Sequence, residues 1–291
     1  AMASNAELSR LMIGAEPPRL AHAARAPGPV VLQVKQLSLP TADPFGVALD
    51  GITLDVHAGE ILGVAGVSGN GQQELLAALS GEDPRAPAGS VVLFGQDIGR
   101  HSPRKRRHEG LHFVPEERLG RGAVPTLSLA DNTLLTRAAG VGPMGWLKRG
   151  EITALAQRVI ERFQVKAGGP GAAAKSLSGG NLQKFIVGRE IDAAPKLLIV
   201  AQPTWGVDVG AAALIRGELL ALRDAGCALL VVSEELEELF EISDRLVVIA
   251  RGRVSPALPV AEATVERIGS WMSGLWDDAP ARAQEVAHAA A

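Results

Sequence analysis

Two spacings of apolar residues alternate along the chain, one with the period of a strand and the other with the period of a helix. Residues 60–65 are nearly all apolar and lead into a glycine-rich turn, which is typical of a central strand in a parallel sheet. Because predicted strands alternate with predicted helices, the pattern indicates an α/β fold with a mainly parallel sheet. Strands are predicted at 30–34, 51–56, 60–65, 90–94, 196–200, 228–233 and 245–250, and helices at 72–79, 151–163, 181–192, 211–223 and 234–240.

The flanking segments differ in composition from this patterned region. Residues 1–29 are rich in Ala, Pro and Arg around one short amphipathic piece, Glu7–Ile13, and are expected to be a linker or the end of a preceding domain. Residues 30–275 are expected to form one domain, and the Ala-rich residues 276–291 a disordered tail.

Composition excludes several classes of protein. Lys and Arg total 29 against 32 Asp and Glu, so the chain lacks the excess positive charge that favours nucleic-acid binding. The low aromatic content of 3% argues against a surface on which bases stack. The sequence shows neither a membrane span nor a secretory leader, which leads us to expect a cytoplasmic protein. Cys227 is the single cysteine and is expected to be a core residue, and the histidines suggest no metal site.

A glycine-rich junction precedes the helix predicted at 72–79. It reads Gly66-Val67-Ser68-Gly69-Asn70-Gly71-Gln72-Gln73. Its outer glycines have the spacing of the phosphate-binding loop G-x-x-x-x-G-K-[ST], but Gln72 stands at the lysine position and Gln73 at that of the hydroxyl that binds Mg²⁺. The backbone N–H groups can still bind an anion, whereas the positive charge is missing. A plain strand-to-helix turn is an equal alternative from these residues alone.

A second glycine motif, Leu177-Ser178-Gly179-Gly180-Asn181, lies at the start of the helix predicted at 181–192. Ser178 is expected to cap that helix. The two glycines would let a phosphate group approach the positive helix end, while a plain Ser-Gly-Gly cap is the alternative. Its place in the chain favours the phosphate role, because two further motifs follow it, at 197–208 and 231–235.

In this order the motifs resemble those of the nucleotide-binding domain of ABC transporters, over about residues 30–255. The L-S-G-G signature of that family is intact at 177–180. The resemblance implies a P-loop NTPase fold with a RecA-like parallel-sheet core and a small antiparallel β subdomain near 30–56 and 90–95. It also implies a helical subdomain at about 118–177 that contacts a membrane permease.

The residues of this chain depart from the family at its catalytic positions. Where the family has an Asp for Mg²⁺ and a Glu for the attacking water, this chain has Ala201 and Gln202, and Glu234 replaces the switch histidine. No catalytic residue is therefore expected to be intact. Three more positions carry over from the family: Glu116 at the Q-loop glutamine, Asp208 in the D-loop and Phe45 as the candidate adenine stacker, for which a plain loop or core Phe is an equal alternative.

These departures together resemble the second, C-terminal nucleotide-binding domain of double-domain ATPases that serve ribose, galactose and purine-nucleoside importers. Residues 201–208 favour the nucleoside-type branch, since the ribose-type branch more often keeps Asp-Glu there, and residues 7–14 look like the end of a first domain. The implied partners are that first domain in the same polypeptide, transmembrane permease subunits and, indirectly, a solute-binding protein. The implied location is the cytoplasmic face of the membrane.

Active sites in this family are composite, since the phosphate loop of one domain faces the signature of the other. The resemblance therefore implies that this chain lends its signature to ATP held, with Mg²⁺, by the first domain, while its own site hydrolyses little or nothing. Two alternatives stay open: a non-hydrolysing regulatory nucleotide-binding domain, and a soluble ABC ATPase of translation or DNA repair.

Two charged runs have both a functional and an ordinary interpretation. The basic run 104–107 is either a solvated helix face or a patch for phosphate or anionic lipid. The carboxylates of 234–235 and 237–238 suggest acid/base chemistry, but a solvated helix face is the expectation for all except Glu234.

Overall fold

The computed structural model describes residues 26–41, 43–137 and 147–276. The expectations for residues 1–25 and for the tail after 276 therefore lie outside the described residues, as does 138–146 within the predicted helical subdomain. Among the described residues, none of the helices combines the length and the apolar content that a membrane span requires.

Strands and helices alternate along the chain, as the apolar pattern predicts. The strands are β1 (Val30–Leu39), β2 (Leu49–His57), β3 (Ile61–Ala65), β4 (Val91–Leu93), β5 (Gln96–Asp97), β6 (Leu111–Val114), β7 (Leu197–Ala201), β8 (Ala228–Ser233), β9 (Arg245–Ala250), β10 (Arg253–Val254) and β11 (Leu258–Pro259). The α-helices are α1 (Gln72–Ser80), α2 (Pro103–His108), α3 (Leu129–Leu134), α4 (Arg149–Arg162), α5 (Gly179–Ile191), α6 (Val209–Asp224), α7 (Leu236–Ile242) and α8 (Val265–Met272).

The larger sheet has the order β10-β9-β3-β8-β7-β6, with β11 also paired to β9. The neighbours β9, β3, β8, β7 and β6 run parallel, and β10 and β11 pair antiparallel with β9. All the carboxyl ends of the parallel strands therefore lie at one edge. The loops after β3, β7 and β8, which carry the predicted site residues, meet there.

A smaller sheet has the order β2-β1-β4-β5 and is antiparallel throughout. This confirms the antiparallel subdomain expected near 30–56 and 90–95. The parallel sheet separates two apolar clusters, because successive side chains of a strand point to opposite faces. Leu229 and Val231 pack with helices α4 to α8, whereas Leu230 and Val232 pack with α1 and the smaller sheet.

Strand β6 is absent from the sequence-based prediction. It has only four residues, and His112 interrupts its apolar pattern. His112 is nevertheless buried, because its Nδ1 lies 2.9 Å from a carboxylate oxygen of Glu190 on α5. A buried partner from a distant helix cannot be read from the local pattern.

The expectation that residues 104–107 form a solvated helix face is wrong for Arg106 and Arg107. The alternative, a patch for phosphate or anionic lipid, stays a prediction for the two exposed residues. Arg106 is fully buried and donates to the carbonyl oxygens of Ala78 and Leu79 at the end of α1, at 2.6 Å each. Burial lowers the pKa of Arg106 to about 10. Arg107 is half-buried and pairs with Glu190 at 2.6 Å. Only Arg104 and Lys105 are exposed.

Cys227 is buried, as expected, but it lies immediately before β8 and not in the strand. Burial raises the pKa of its thiol to about 12. The thiol is therefore an inert packing group at neutral pH.

Candidate functional site

The glycine loop 66–73 joins the carboxyl end of β3 to α1. Gly69 and Gly71 have φ of +80° and +108°, in the left-handed region that glycine adopts without strain. Gly71 is the N-cap of α1 and offers no side chain to the first N–H groups of the helix. The loop thus has the backbone shape that presents N–H groups to an anion.

The side chain of Gln72 folds back into this loop. Its Nε2 donates to the carbonyl oxygen of Val67 at 2.8 Å, and its Oε1 accepts from the backbone N–H of Asn70 at 3.0 Å. The site of a Cβ atom on Gly66 would be only 2.7 Å from Gln72 Nε2. The neutral amide therefore fills the position where a lysine would reach a phosphate, and it occupies one of the N–H groups that would bind an anion.

The structure brings most of the predicted nucleotide-site residues to one small recess. The enclosed space is about 20 Å³, which is room for about one water molecule. Its lining comprises Gly66, Ser68, Gly69, Gln72, Gln73, Leu76, Glu116, Ala201, Gln202, Val232, Ser233 and Glu234. All of these except Leu76, Val232 and Ser233 are predicted site residues, and they come from four separate segments of the chain.

The residues that end β7 offer no anionic ligand for a Mg²⁺ ion, and the carboxylates of the recess come only from Glu116 and Glu234. Ala201 has no ligand atom, and Gln202 is a neutral amide whose Oε1 accepts from the backbone N–H of Glu234 at 3.2 Å. Mg²⁺ in phosphate sites is held by carboxylates, hydroxyls, water and phosphate oxygens. Across the part of the chain that the structure describes, no cluster of three or more His, Cys, Asp or Glu residues could hold a metal ion.

The signature lies outside the recess, at the start of α5. Ser178 and Gly179 are exposed, Gly180 is half-buried, and Leu177 packs against the apolar core. Since none of these residues lines the recess, the two glycine motifs form separate surfaces of this chain.

The helix begins at Gly179, two residues before the predicted start at Asn181. Ser178 is the N-cap residue, as expected, but its side chain makes no capping hydrogen bond. The reason is Asn181, whose Nδ2 donates to Ser178 Oγ at 2.9 Å while its Oδ1 accepts from the backbone N–H of Lys166 at 2.8 Å. The first N–H groups of α5 are left without a side-chain cap.

Asp208, the predicted D-loop residue, is the N-cap of α6. Its Oδ1 accepts from the backbone N–H of Ala211 at 2.8 Å. The segment that leads to it passes close to the signature, since a Cβ atom on Gly180 would lie 3.6 Å from Asp208 Oδ2 and from Val207 Cβ. The structure thus brings Asp208 to the signature surface and not to the recess.

Arg118 is the residue of this surface that sequence reasoning missed. Its Nε donates to Gln183 Oε1 on α5 at 3.0 Å, and its Nη2 donates to the carbonyl oxygen of Trp205. The guanidinium carbon lies 5.8 Å from the centre of the half-exposed Trp205 ring. The only sequence signal is its place two residues after Glu116.

Glu238 is buried, which corrects the expectation of a solvated helix face. Its carboxylate accepts from Thr204 Oγ1 at 2.6 Å and from Ser233 Oγ at 2.8 Å, and burial raises its pKa. Glu238 therefore ties the segment after β7 to the end of β8. These are the two segments that carry Gln202 and Glu234.

Phe45 lies in the loop between β1 and β2 with 96% of its surface exposed, so it is not a core residue. It does not line the recess. Its role as an adenine stacker stays a prediction.

The parallel core sheet, the glycine loop after β3 and the separate signature surface define an ATP-binding cassette. The profile described as "ABC transporter" matches residues 49–205, more than half of the chain, and the chain therefore belongs to the ABC transporter family. The fold is similar to that of a nucleotide-free ATP-binding cassette from an ABC transporter, with a TM-score of 0.67 and 22% identity over 79% of this chain and 91% of that one.

Three curated relatives are named as import ATP-binding proteins. The chain is 39% identical to the nucleoside import ATP-binding protein NupA of Lactococcus lactis subsp. cremoris, over 93% of this chain and 54% of the relative. It is 38% identical to the guanosine import ATP-binding protein NupO of Bacillus subtilis, over 92% and 53%. It is also 37% identical to the ribose import ATP-binding protein RbsA of Bacillus licheniformis, over 85% and 49%. The chain spans about half the length of these relatives.

Proposed function

We propose that this chain is the second, non-hydrolysing nucleotide-binding domain of an importer ATPase, and that it supplies its signature to ATP held by a companion domain. The observation that carries the proposal is the contrast between the two glycine motifs. The Gln72 amide fills the loop at 66–73, and the adjacent end of β7 has no anionic Mg²⁺ ligand. By contrast, the helix start at Gly179 is exposed and has no side-chain cap. In a composite site only the second motif would face the reacting phosphate.

The proposed partners follow from this role. The companion is the first nucleotide-binding domain of the same polypeptide, consistent with a chain that spans about half of its relatives. It would hold ATP and Mg²⁺. Permease subunits at the cytoplasmic face of the membrane would receive the motion of both domains, and a solute-binding protein would deliver the solute to them.

The contact with the permease is proposed to lie at the helical subdomain, about residues 118–177. A groove of about 160 Å³ separates β6 from the end of α3, and its lining includes Phe113, Arg121, Leu135 and Thr136.

The proposed solute class is nucleosides or simple sugars. The relatives named for nucleoside and guanosine import match with 39% and 38% identity, and the one named for ribose import matches with 37%. A relative named for glucose import also matches with 39% identity, so sequence identity does not separate the two solute classes. The preference for a nucleoside rests on Ala201 and Gln202.

The test of inactivity is phosphate release by the purified chain. It should equal the buffer background, because Ala201 and Gln202 can neither hold Mg²⁺ as anionic ligands nor polarise water strongly. A turnover near 1 s⁻¹ that Gln202→Ala abolishes would contradict the proposal. Recovery of a polytopic membrane subunit with the full polypeptide would separate an importer role from a regulatory or soluble ATPase.

A further inference from the structure

Arg118 connects three segments of the signature surface. It lies in the segment after β6. Its Nε donates to Gln183 Oε1 on α5, and its Nη2 donates to the Trp205 carbonyl oxygen. Its remaining nitrogen, Nη1, lies 2.7 Å from where a Cβ atom on Gly179 would be. Nη1 has no hydrogen-bond acceptor among the described residues.

The charge of Arg118 is not balanced by a carboxylate in the described part of the chain. Its two bonded partners are an amide oxygen and a backbone carbonyl, and burial lowers the pKa of its guanidinium. Nearby arginines are paired: Arg121 with Glu82, and Arg107 with Glu190. A half-buried cation that is held rigidly and left unpaired is suited to an anion from outside the chain.

That anion would arrive at the start of α5. The uncapped N–H groups there carry the positive end of the helix dipole, and Gly179 is exposed with Arg118 Nη1 beside it. We propose that Arg118 contacts the terminal phosphate of ATP at this surface. Its full positive charge beside Gly179 would make the signature surface prefer ATP to ADP. This inference rests on the proposed function, because the companion domain holds the nucleotide.

The alternative role for Arg118 is purely structural, as a tie between Trp205 and α5. The two roles predict opposite orders for two substitutions. Arg118→Gln keeps N–H donors for the Trp205 and Gln183 oxygens but loses the charge, whereas Arg118→Lys keeps the charge but loses the planar fork. A phosphate contact makes Arg118→Gln the more damaging change, and a structural tie makes Arg118→Lys the more damaging one.

The experiment uses the full polypeptide with its permease. It follows the fluorescence of Trp205, obtained as the difference between the tryptophan emission of the wild type and that of Trp205→Phe. The Trp205 ring lies against the Arg118 guanidinium, so it reports a phosphate that arrives there. A non-hydrolysable ATP analogue and ADP are titrated separately, and kcat and KM for ATP hydrolysis are measured in parallel. Arg104→Gln, which changes an exposed arginine on α2, is the matched control.

Arg118→Gln should lower the apparent affinity for the ATP analogue, read from the fluorescence titration, by roughly 10- to 150-fold. This is the usual effect of losing a charge-assisted hydrogen bond. The response to ADP should change little, and Arg118→Lys should lie between wild type and Arg118→Gln. The inference would be overturned if Arg118→Gln and Arg104→Gln bound the ATP analogue with equal affinity. It would also be overturned if Arg118→Lys lost more affinity than Arg118→Gln. If Gly179→Asp also leaves hydrolysis unchanged, the proposed function fails with it; if Gly179→Asp abolishes hydrolysis, only the role of Arg118 is lost.

Discussion

Gln72 shows how one side chain decides the character of the glycine loop. In the structure its amide bonds to Val67 and Asn70, so the loop satisfies its own polar groups. The sequence predicts the missing charge at this position. It could not predict the inward rotamer, because that depends on two backbone groups whose orientation is set by the left-handed glycines at 69 and 71.

Gln72→Lys should therefore tighten nucleotide binding by this chain. A lysine replaces a self-satisfied amide with a charge-assisted phosphate contact, worth about 1.5–3 kcal/mol, or roughly 10- to 150-fold in affinity. Calorimetric titration of ATP into both proteins measures the difference. Sub-micromolar binding by the unchanged chain would mean that the loop is already a complete site.

At the scale of elements, α5 is held to β6 and α2 by a buried charge cluster around Glu190. Arg189, Arg107 and His112 all contact this carboxylate, at 3.0, 2.6 and 2.9 Å. Burial alone would raise the pKa of Glu190, but attraction to Arg189, the hydrogen bond with His112 and the charge of Arg107 hold it well below its ordinary value. The carboxylate is therefore charged in the folded protein at neutral pH.

Glu190→Gln should destabilise the chain by about 3–5 kcal/mol at pH 7, since it leaves buried cations unpaired. Because folding lowers the pKa of Glu190, its stabilisation is complete above the ordinary value of 4.5 and is lost as pH falls through the folded value. The difference in free energy of unfolding between wild type and Glu190→Gln should accordingly become smaller below about pH 4.5. Urea unfolding at pH 7, 5 and 4 tests this.

Glu218→Gln is the control for this measurement, because Glu218 pairs with Arg162 at the surface and should contribute about 0–1 kcal/mol. The role assigned to Glu190 would be contradicted if both variants lost the same free energy of unfolding. It would also be contradicted if the difference between wild type and Glu190→Gln grew as the pH falls.

The elements that the sequence predicts well are those whose environment is set by their own pattern. Strands β3, β7, β8 and β9 are continuous apolar runs, and the predicted bounds agree with the structure to within one residue. The errors involve polar residues whose partners lie far along the chain. Glu238 is buried because Thr204 and Ser233 donate to it, and Arg106 because it bonds to the end of α1. Local periodicity carries no information about such partners.

The same distinction applies to the site. Motif spacing identifies the recess residues and the signature, since strand order places the loops after β3, β7 and β8 at one edge. Arg118 could not be predicted, because its role depends on the approach of the Trp205 carbonyl and Gly179 to the junction after β6.

For the whole molecule, the two glycine motifs lie on separate surfaces, and the signature at Gly179 is exposed and has no side-chain cap. In the assembled, full-length protein, Gly179→Asp should abolish ATP hydrolysis and uptake, because a carboxylate would oppose the phosphate and block its close approach. Loss of one preorganised donor typically costs about 10²–10³-fold in rate. Gln72→Ala should leave both activities within a few-fold of wild type, since the Gln72 amide bonds only within its own loop.

Folding must be checked in both variants, because Gly179 also starts α5 and a side chain there would meet Arg118 Nη1 at 2.7 Å. Circular dichroism and thermal unfolding of the isolated chain provide that check. Aspartate is favourable at the first turn of a helix, so the helix itself should tolerate Gly179→Asp. If both folded variants lose activity equally, hydrolysis depends on the loop at 66–73 as much as on the signature, and the asymmetric assignment of the two surfaces is wrong.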